Sequence, residues 1–469
     1  MIAGLKPYAE YKDSGLPGLG QVPAHWQIVR SKRLFASSKD LALPDDPQLS
    51  ATQAYGVIEQ ADFERRSGHR VVKISMHLDK RKHVEKDDFV ISMRSFQGGI
   101  ERAWASGAIR SSYVVLKPGP GVHASFFQYV LKSAGYIRAL QTTGDFIRDG
   151  QDLSFANFVR VDLPLVPLDE QAAIARFLDW ANGRLERAIR AKRKVIALLT
   201  EQKQAIVQRA VTRGLDANAQ VKPSGIPWLG DIPLHWELMR AKQLCTGIID
   251  CKNRTPDVIE GGSFAVVRTT NIRRGRFNLA GSYATDQRNY QIWTQRGAPK
   301  VGDVFFTREA PVCEACLVPD LQNLCMGQRM MYFRPDPASL DATFLLHSIY
   351  GPIVRTYLEV EVNGSTVGHL RLGQVSALPL LWCPVEEQRQ IVEHITTATA
   401  PLDVTIARLE REIELLREYR IRLVADVVTG KLDVREAVAR LPDELDSRDR
   451  IDERGGLMED DALPEEAEE

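Results

Sequence analysis

At 469 residues the chain is too long for one compact core and implies two or more domains. Its 44% apolar and 26% charged residues are those of a globular protein and exclude a disordered, collagenous or disulfide-built chain. Net charge is zero but uneven: from Leu441 onward 3 basic residues face 13 acidic ones, and removing these from the totals of 61 each leaves 58 against 48, a net of +10 over residues 1–440. The folded part is therefore basic. The acidic tail, 434–469, has too few apolar residues for a core and is expected to be disordered. No apolar run could span a bilayer and Met1–Pro7 lacks a signal-peptide core, so the expected compartment is the cytoplasm.

In chain order, residues 1–22 are a lead segment. Its phrase Ser14-Gly-Leu-Pro-Gly-Leu-Gly-Gln-Val-Pro-Ala-His-Trp26 returns 210 residues later as Ser224-Gly-Ile-Pro-Trp-Leu-Gly-Asp-Ile-Pro-Leu-His-Trp236, and the match runs on to Leu34 and Leu244. A repeat of that length duplicates whole modules. The first module, 23–165, shows short β-rich runs at Arg70–Ser75, Phe89–Met93 and Tyr113–Leu116, then a helical run at Phe126–Leu140. The second, 227–384, repeats the order with Phe264–Arg268, Val304–Thr307, Met330–Phe333 and a helix near Thr343–Tyr357; residues 214–226 link the two and repeat the lead segment. Identity inside the modules is low. One fold carrying two different surfaces suits two readers of different targets.

Each module closes on a proline-bounded strand, Val161–Pro167 or Ala377–Pro384, and leads into a helical region, 166–213 or 385–433. Leu185, Ile189, Ile196, Leu199 and Ile206 follow a heptad seam, and so do Leu402, Ile406, Leu409, Ile413, Leu416, Leu423 and Val427. The two copies align without a gap at an offset of 217, from Leu168-Asp-Glu-Gln171 and Val385-Glu-Glu-Gln388 to Val211-Thr-Arg-Gly-Leu-Asp216 and Val428-Thr-Gly-Lys-Leu-Asp433. Asp169-Glu170 and Glu386-Glu387 complement a helix N-terminal dipole. Asn182-Gly183 and Pro401 are expected to break a short first helix from a long one of roughly 28 residues, about 40 Å. The first copy is basic (Arg184, Arg187, Arg190, Lys192, Arg193, Lys194) and the second acidic (Glu393, Glu410, Glu412, Glu414, Glu418), which favours pairing with each other. An antiparallel pair with pseudo-twofold symmetry, holding the modules at opposite ends, is the simplest arrangement. Lys203 and Arg420 share one seam position, where they either fix register or snorkel outward. The expected fold class is α+β: two pseudo-symmetric mixed α/β modules separated by two long antiparallel helices forming a coiled coil.

The chain holds no phosphate loop, dinucleotide fingerprint, zincin, nucleophile-elbow or amino-methyltransferase motif. His25 and His235, each beside a tryptophan, read as packing residues. Cys313-Glu-Ala-Cys316 has zinc-ligand spacing without the second pair a zinc ribbon needs, and the first module has no cysteine, so buried thiols are expected and no metal. What the sequence does offer are loops suited to nucleic acid. These are Arg94, Phe96 and Gln97; Arg148 and Gln151; Arg273, Arg274 and Arg276, with Arg308; and Asn363, Ser365, Thr366 and His369. Arg and Lys contact phosphate, and Arg, Asn and Gln form bidentate contacts to base edges, though each loop alone also fits an ordinary solvated turn.

The two Pro-x-His-Trp phrases, the two (Asp/Glu)-Glu-Gln helix openings and the two Val-Thr-x-x-Leu-Asp exits resemble the specificity subunit of Type I restriction-modification enzymes, from about Tyr8 to Asp433. Gly18 stands where the second copy has Trp228, and the acidic tail falls outside the resemblance. The resemblance implies a non-catalytic, sequence-specific DNA-binding subunit whose modules are target-recognition domains. Each would read half of a bipartite asymmetric site in double-stranded DNA, with the helices setting the spacer. It further implies two modification (methyltransferase) subunits and restriction (translocase/endonuclease) subunits as partners, which would hold S-adenosylmethionine, ATP and Mg²⁺. The other readings are a coiled-coil scaffold whose modules bind protein, and a stand-alone DNA-modifying enzyme.

Overall fold

A computed structural model describes residues 5–16, 19–71, 80–92, 95–143, 154–252, 254–309, 311–362 and 369–442. The chain divides into two compact units, Met1–Arg193 with Glu410–Glu469, and Lys194–Leu409.

In the first unit, strands Phe35–Ser38, Val114–Pro118, Phe89–Ile91 and Glu101–Arg102 form an antiparallel sheet in that order. The expected helix Phe126–Leu140 is two helices, Ala124–Val130 and Ala134–Gln141, because Ser133 between them caps the second through the Tyr136 N–H. Of the expected strand Arg70–Ser75 only Arg70 and Val71 are described, and neither is in a strand. Phe35 sits edge-on to Phe89, Phe127 and Phe158, with ring centroids 5.4–5.7 Å apart. The same core takes in Trp26 and, from near the far end of the chain, Leu423, Val427, Val428 and Val434. Asp433 pairs with Lys6 as an isolated antiparallel bridge, and the Arg435 guanidinium lies 5.2 Å from the Tyr8 ring centroid.

The second unit repeats the plan. Cys245–Asp250, Met330–Pro335, Val304–Arg308 and Val312–Leu317 form an antiparallel sheet in the same order as the first, backed by helices Ala342–Ile349 and Pro352–Val362. Here too one expected helix is two, and the second begins on Pro352, whose missing N–H is harmless at a helix start. The units differ in their secondary sheets. The first has a hairpin of Leu49–Thr52 and Gly56–Glu59; the second pairs Phe264–Val267 antiparallel with Tyr283–Thr285 and parallel with Leu324–Met326.

Two long helices, Leu168–Arg213 of 46 residues and Val385–Val428 of 44, are each continuous, which corrects the expected break. Pro401 lies within the second helix on an exposed position, as does Thr397, the residue four earlier whose carbonyl it leaves without a helical N–H partner. Asn182, beside Gly183, donates to the Tyr129 hydroxyl and is tied to the module. Seam residues Ile189, Ile413, Leu423 and Val427 are buried, and Leu185, Ile196, Leu199, Ile206, Leu402, Ile406, Leu409 and Leu416 are partly buried; Leu198, Val404, Leu415 and Ile421 point outward. Within the first unit Lys192 pairs with Glu412 and Arg420 with Glu186, so the partner's number falls as the first helix's rises and the helices run antiparallel. In the second unit Lys203 reaches both oxygens of Asp403 at 2.6 and 2.7 Å. Both polar seam positions are thus held by a carboxylate of the facing helix.

Asp179 of the first long helix accepts a bond from the Tyr129 hydroxyl, and burial pushes its carboxyl up to about 6. The folded state therefore favours the neutral acid. This stabilisation is complete below the unfolded-state range near 4 and is lost as pH rises through about 6. We expect Asp179→Asn to remove that slope: urea midpoints at pH 4.5 and 7 should lie closer together in the variant than in the wild type, and an unchanged gap would count against the burial of this group.

Candidate nucleic-acid interface

Both units build the same clasp at the start of a long helix. His25 and Trp26 meet Glu170, with Nε2 at 2.7 Å from one oxygen and Nε1 donating to the other at 3.0 Å; His235 and Trp236 meet Glu387 at the same two distances. The Tyr8 hydroxyl adds a 2.6 Å bond to Glu170, and burial together with that carboxylate keeps the phenol protonated far above its usual range. Next in sequence, Gln171 donates to the carbonyls of Gly121 and Val166 and accepts from the His123 N–H, while Gln388 donates to the carbonyls of Ser339 and Cys383 and accepts from the Asp341 N–H. The repeated histidines are framework groups. The glutamates suit the helix dipole as expected, but their acceptor role in the clasp was not legible beforehand.

The helix exits close on the same motifs. Gly430 at φ 75° packs on Pro23 and Trp26, and Gly214 at φ 68° packs on Trp236. A left-handed residue is needed there, and glycine supplies it. Because it falls one repeat position later in the first copy, Thr212-Arg-Gly214 differs from Thr429-Gly-Lys431.

Among the candidate contacts, Arg273, Arg274 and Arg276 lie together on a hairpin of Ile272–Arg273 and Arg276–Phe277, all three exposed. Arg274 and Gly275 take φ values of 49° and 81°, as a two-residue type I′ turn requires. An arginine in that conformation is strained by about 1–2 kcal/mol and needs support. The support is Tyr350: its hydroxyl accepts from the Gly275 and Ala315 N–H groups at 2.9 and 3.0 Å and lies 2.8 Å from Glu314, which accepts from the Arg274 N–H at 2.6 Å. The turn is therefore presented rigidly. Tyr350→Phe should leave two N–H groups short of an acceptor, lower stability by about 1–3 kcal/mol and speed amide exchange at Gly275. Unchanged Gly275 protection would show that the hydroxyl is not the anchor.

Arg308 is placed differently. It is 9% exposed and bonds Asp250 at 2.9 Å, so it braces its strand from within. His369 is exposed and sits 3.3 Å from Glu309. In the first unit Gln97 is exposed on the short helix Ser95–Gly98, which also contains Phe96. The glycines beside it are closely packed: a Cβ on Gly98 would strike the Gln53 side chain, and one on Gly99, whose φ of 88° also favours glycine, the Leu131 carbonyl. Arg94, Arg148, Gln151, Asn363, Ser365 and Thr366 lie outside the described residues. Cys313 and Cys316 pack into different apolar clusters, and burial pushes each thiol up to about 12. Among the described residues no group of three or more His, Cys, Asp or Glu could hold a metal ion, and no helix is long and apolar enough to cross a membrane.

The architecture is thus a duplicated α+β module, each copy clasped to one of two long antiparallel helices. Over 93% of its length the chain is similar, at 22% identity, to the type I restriction enzyme MjaVIII specificity subunit of Methanocaldococcus jannaschii, covering 99% of that protein. Over 119 residues it is 32% identical to the type I restriction enzyme EcoBI specificity subunit of Escherichia coli, a quarter of this chain and 23% of that one. No family model matches. In fold it is similar to a chain solved for the structural basis of complex assembly and conformational transition of the type I R-M system, at 16% identity and a TM-score of 0.57, covering 87% of this chain and 99% of that chain.

Proposed function

We propose that this chain is the DNA-sequence-specificity subunit of a type I restriction-modification complex. Each module reads one half of a bipartite, asymmetric site in duplex DNA, and the paired helices fix the spacer and dock two modification subunits. Restriction subunits complete the assembly. S-adenosylmethionine, ATP and Mg²⁺ are held by those partners, and this chain supplies no catalytic group. The observation that carries the reading is the duplication itself. The clasps, exits and four-stranded sheets repeat in both units, whereas the secondary sheets and exposed loops do not. A common frame with unlike surfaces is what two readers of different half-sites require, and the likeness to specificity subunits along nearly the whole chain supports it. Methylome sequencing of the host with and without the gene tests this: one bipartite methylated motif should vanish on deletion, and an identical methylome in a strain expressing the system would refute the assignment.

A further inference from the structure

Resting on that reading, the structure also points to how the second module divides its work on DNA. Three cations stand over two aromatic rings in the segments that flank the arginine hairpin in sequence. The Arg268 guanidinium stands 4.2 Å from the centroid of the Tyr283 ring and bonds the Gly281 carbonyl, immediately before the hairpin in sequence. Lys252 and Arg254 lie 5.6 and 5.3 Å from the centroid of Trp293, whose Nε1 donates to the Arg254 carbonyl, and Lys252 reaches Gln295. Tyr283 and Trp293 belong to one apolar cluster with Val266 and Cys325, so the two rings share a single packed base.

These cations combine a ring beneath them with the lack of a carboxylate partner. Among the described residues no carboxylate lies within ion-pair distance of Lys252, Arg254 or Arg268. In the same unit Arg308, Arg329 and Arg334 are paired with Asp250, Glu309 and Asp303. In the first unit three arginines on aromatic rings are compensated, Arg66 beside Tyr55 by Asp62, Arg102 over Trp104 by Asp87 and Arg435 over Tyr8 by Asp433, whereas Arg184 over Trp180 stands singly on the long helix without such a partner among the described residues. Stacking on a ring holds a cation in place while leaving its donors outward, and an uncompensated, pre-positioned cation is suited to a phosphate. Single surface cations also stand on rings, as Arg184 does on Trp180; two arginines and a lysine doing so on one apolar cluster without a counter-charge, next in sequence to a supported basic hairpin, is the more specific arrangement. We propose that Lys252, Arg254 and Arg268 grip the DNA backbone and set the second module's position on the duplex, while Arg273, Arg274 and Arg276 on the hairpin face base edges.

The test uses the full chain with its modification subunits, a duplex carrying the motif found by methylome sequencing, and a scrambled duplex of equal length, titrated over a range of KCl. For the triple variant K252Q/R254Q/R268Q the slope of log affinity against log salt should become shallower by about 2–3, since each phosphate neutralised contributes about 0.9. The preference for motif over scrambled duplex should stay as in the wild type, because phosphate contacts carry no sequence information. The charge-keeping variant R254K/R268K should retain the wild-type slope, which separates lost charge from lost folding. An unchanged slope in the triple variant, or a collapse of its sequence preference, overturns the assignment of these residues. A wild-type complex that shows no preference for the motif sinks the DNA-reading function itself, whatever the slopes.

Discussion

Glu170→Ala is expected to destabilise the first unit by about 3 kcal/mol, and Glu387→Ala the second by roughly half as much. The direction follows from the clasp: removing the carboxylate leaves the Trp26 Nε1 and the Tyr8 hydroxyl without an acceptor in a site where Glu170 is 3% exposed. Glu387 is 28% exposed, so water replaces part of what is lost. It also lacks a tyrosine partner, since the residue 210 positions after Tyr8 is Asn218. Urea unfolding followed by tryptophan fluorescence measures both losses. Equal midpoint shifts, or a larger one for Glu387→Ala, would contradict the account.

Exchanging residues 23–165 for the corresponding module of another specificity subunit is expected to change one half of the methylated motif and to leave the other half and the spacer length as they were. The framework makes such a graft possible. The chain enters and leaves the module through adjacent antiparallel strands, Gln27–Val29 and Leu163–Leu165, so both junctions lie side by side. Gln171 then holds the module through the carbonyls of Gly121 and Val166 and the His123 N–H, which are backbone groups any sequence provides. Methylome sequencing of the exchanged strain reads the result, and alteration of both half-sites would show that recognition is not modular.

The parts legible in the sequence were those with a period or a repeat. Heptad spacing from Leu402 to Val427 exposed one long helix, and the 217-residue offset exposed its partner. Helix continuity was not legible, because Pro401 and Gly183 are local signals whose cost is overridden by packing on the neighbouring residues. The hairpin Arg273–Arg276 was visible as a basic loop. Its anchor, Tyr350, lies 75 residues from Gly275, and no local pattern announces a hydroxyl that will accept two amide protons. Arg308 failed as a surface candidate for the same reason: its partner Asp250 is 58 residues away. Lys252, Arg254 and Arg268 went unnoticed because isolated cations gain meaning only once Trp293 and Tyr283 are placed beneath them.

The first unit is discontinuous: its core needs Leu423, Val427, Val428 and Val434 beside Trp26, while the second unit is the uninterrupted stretch Lys194–Leu409. On a ribosome adding about 5–20 residues per second, roughly 10–40 s pass between emergence of residue 193 and that of residue 410. During that interval the groove beside Trp26 has no occupant from its own chain. We expect the module made first to be the one completed last, and a nascent chain halted before Leu423 to carry a finished second unit and an open first one.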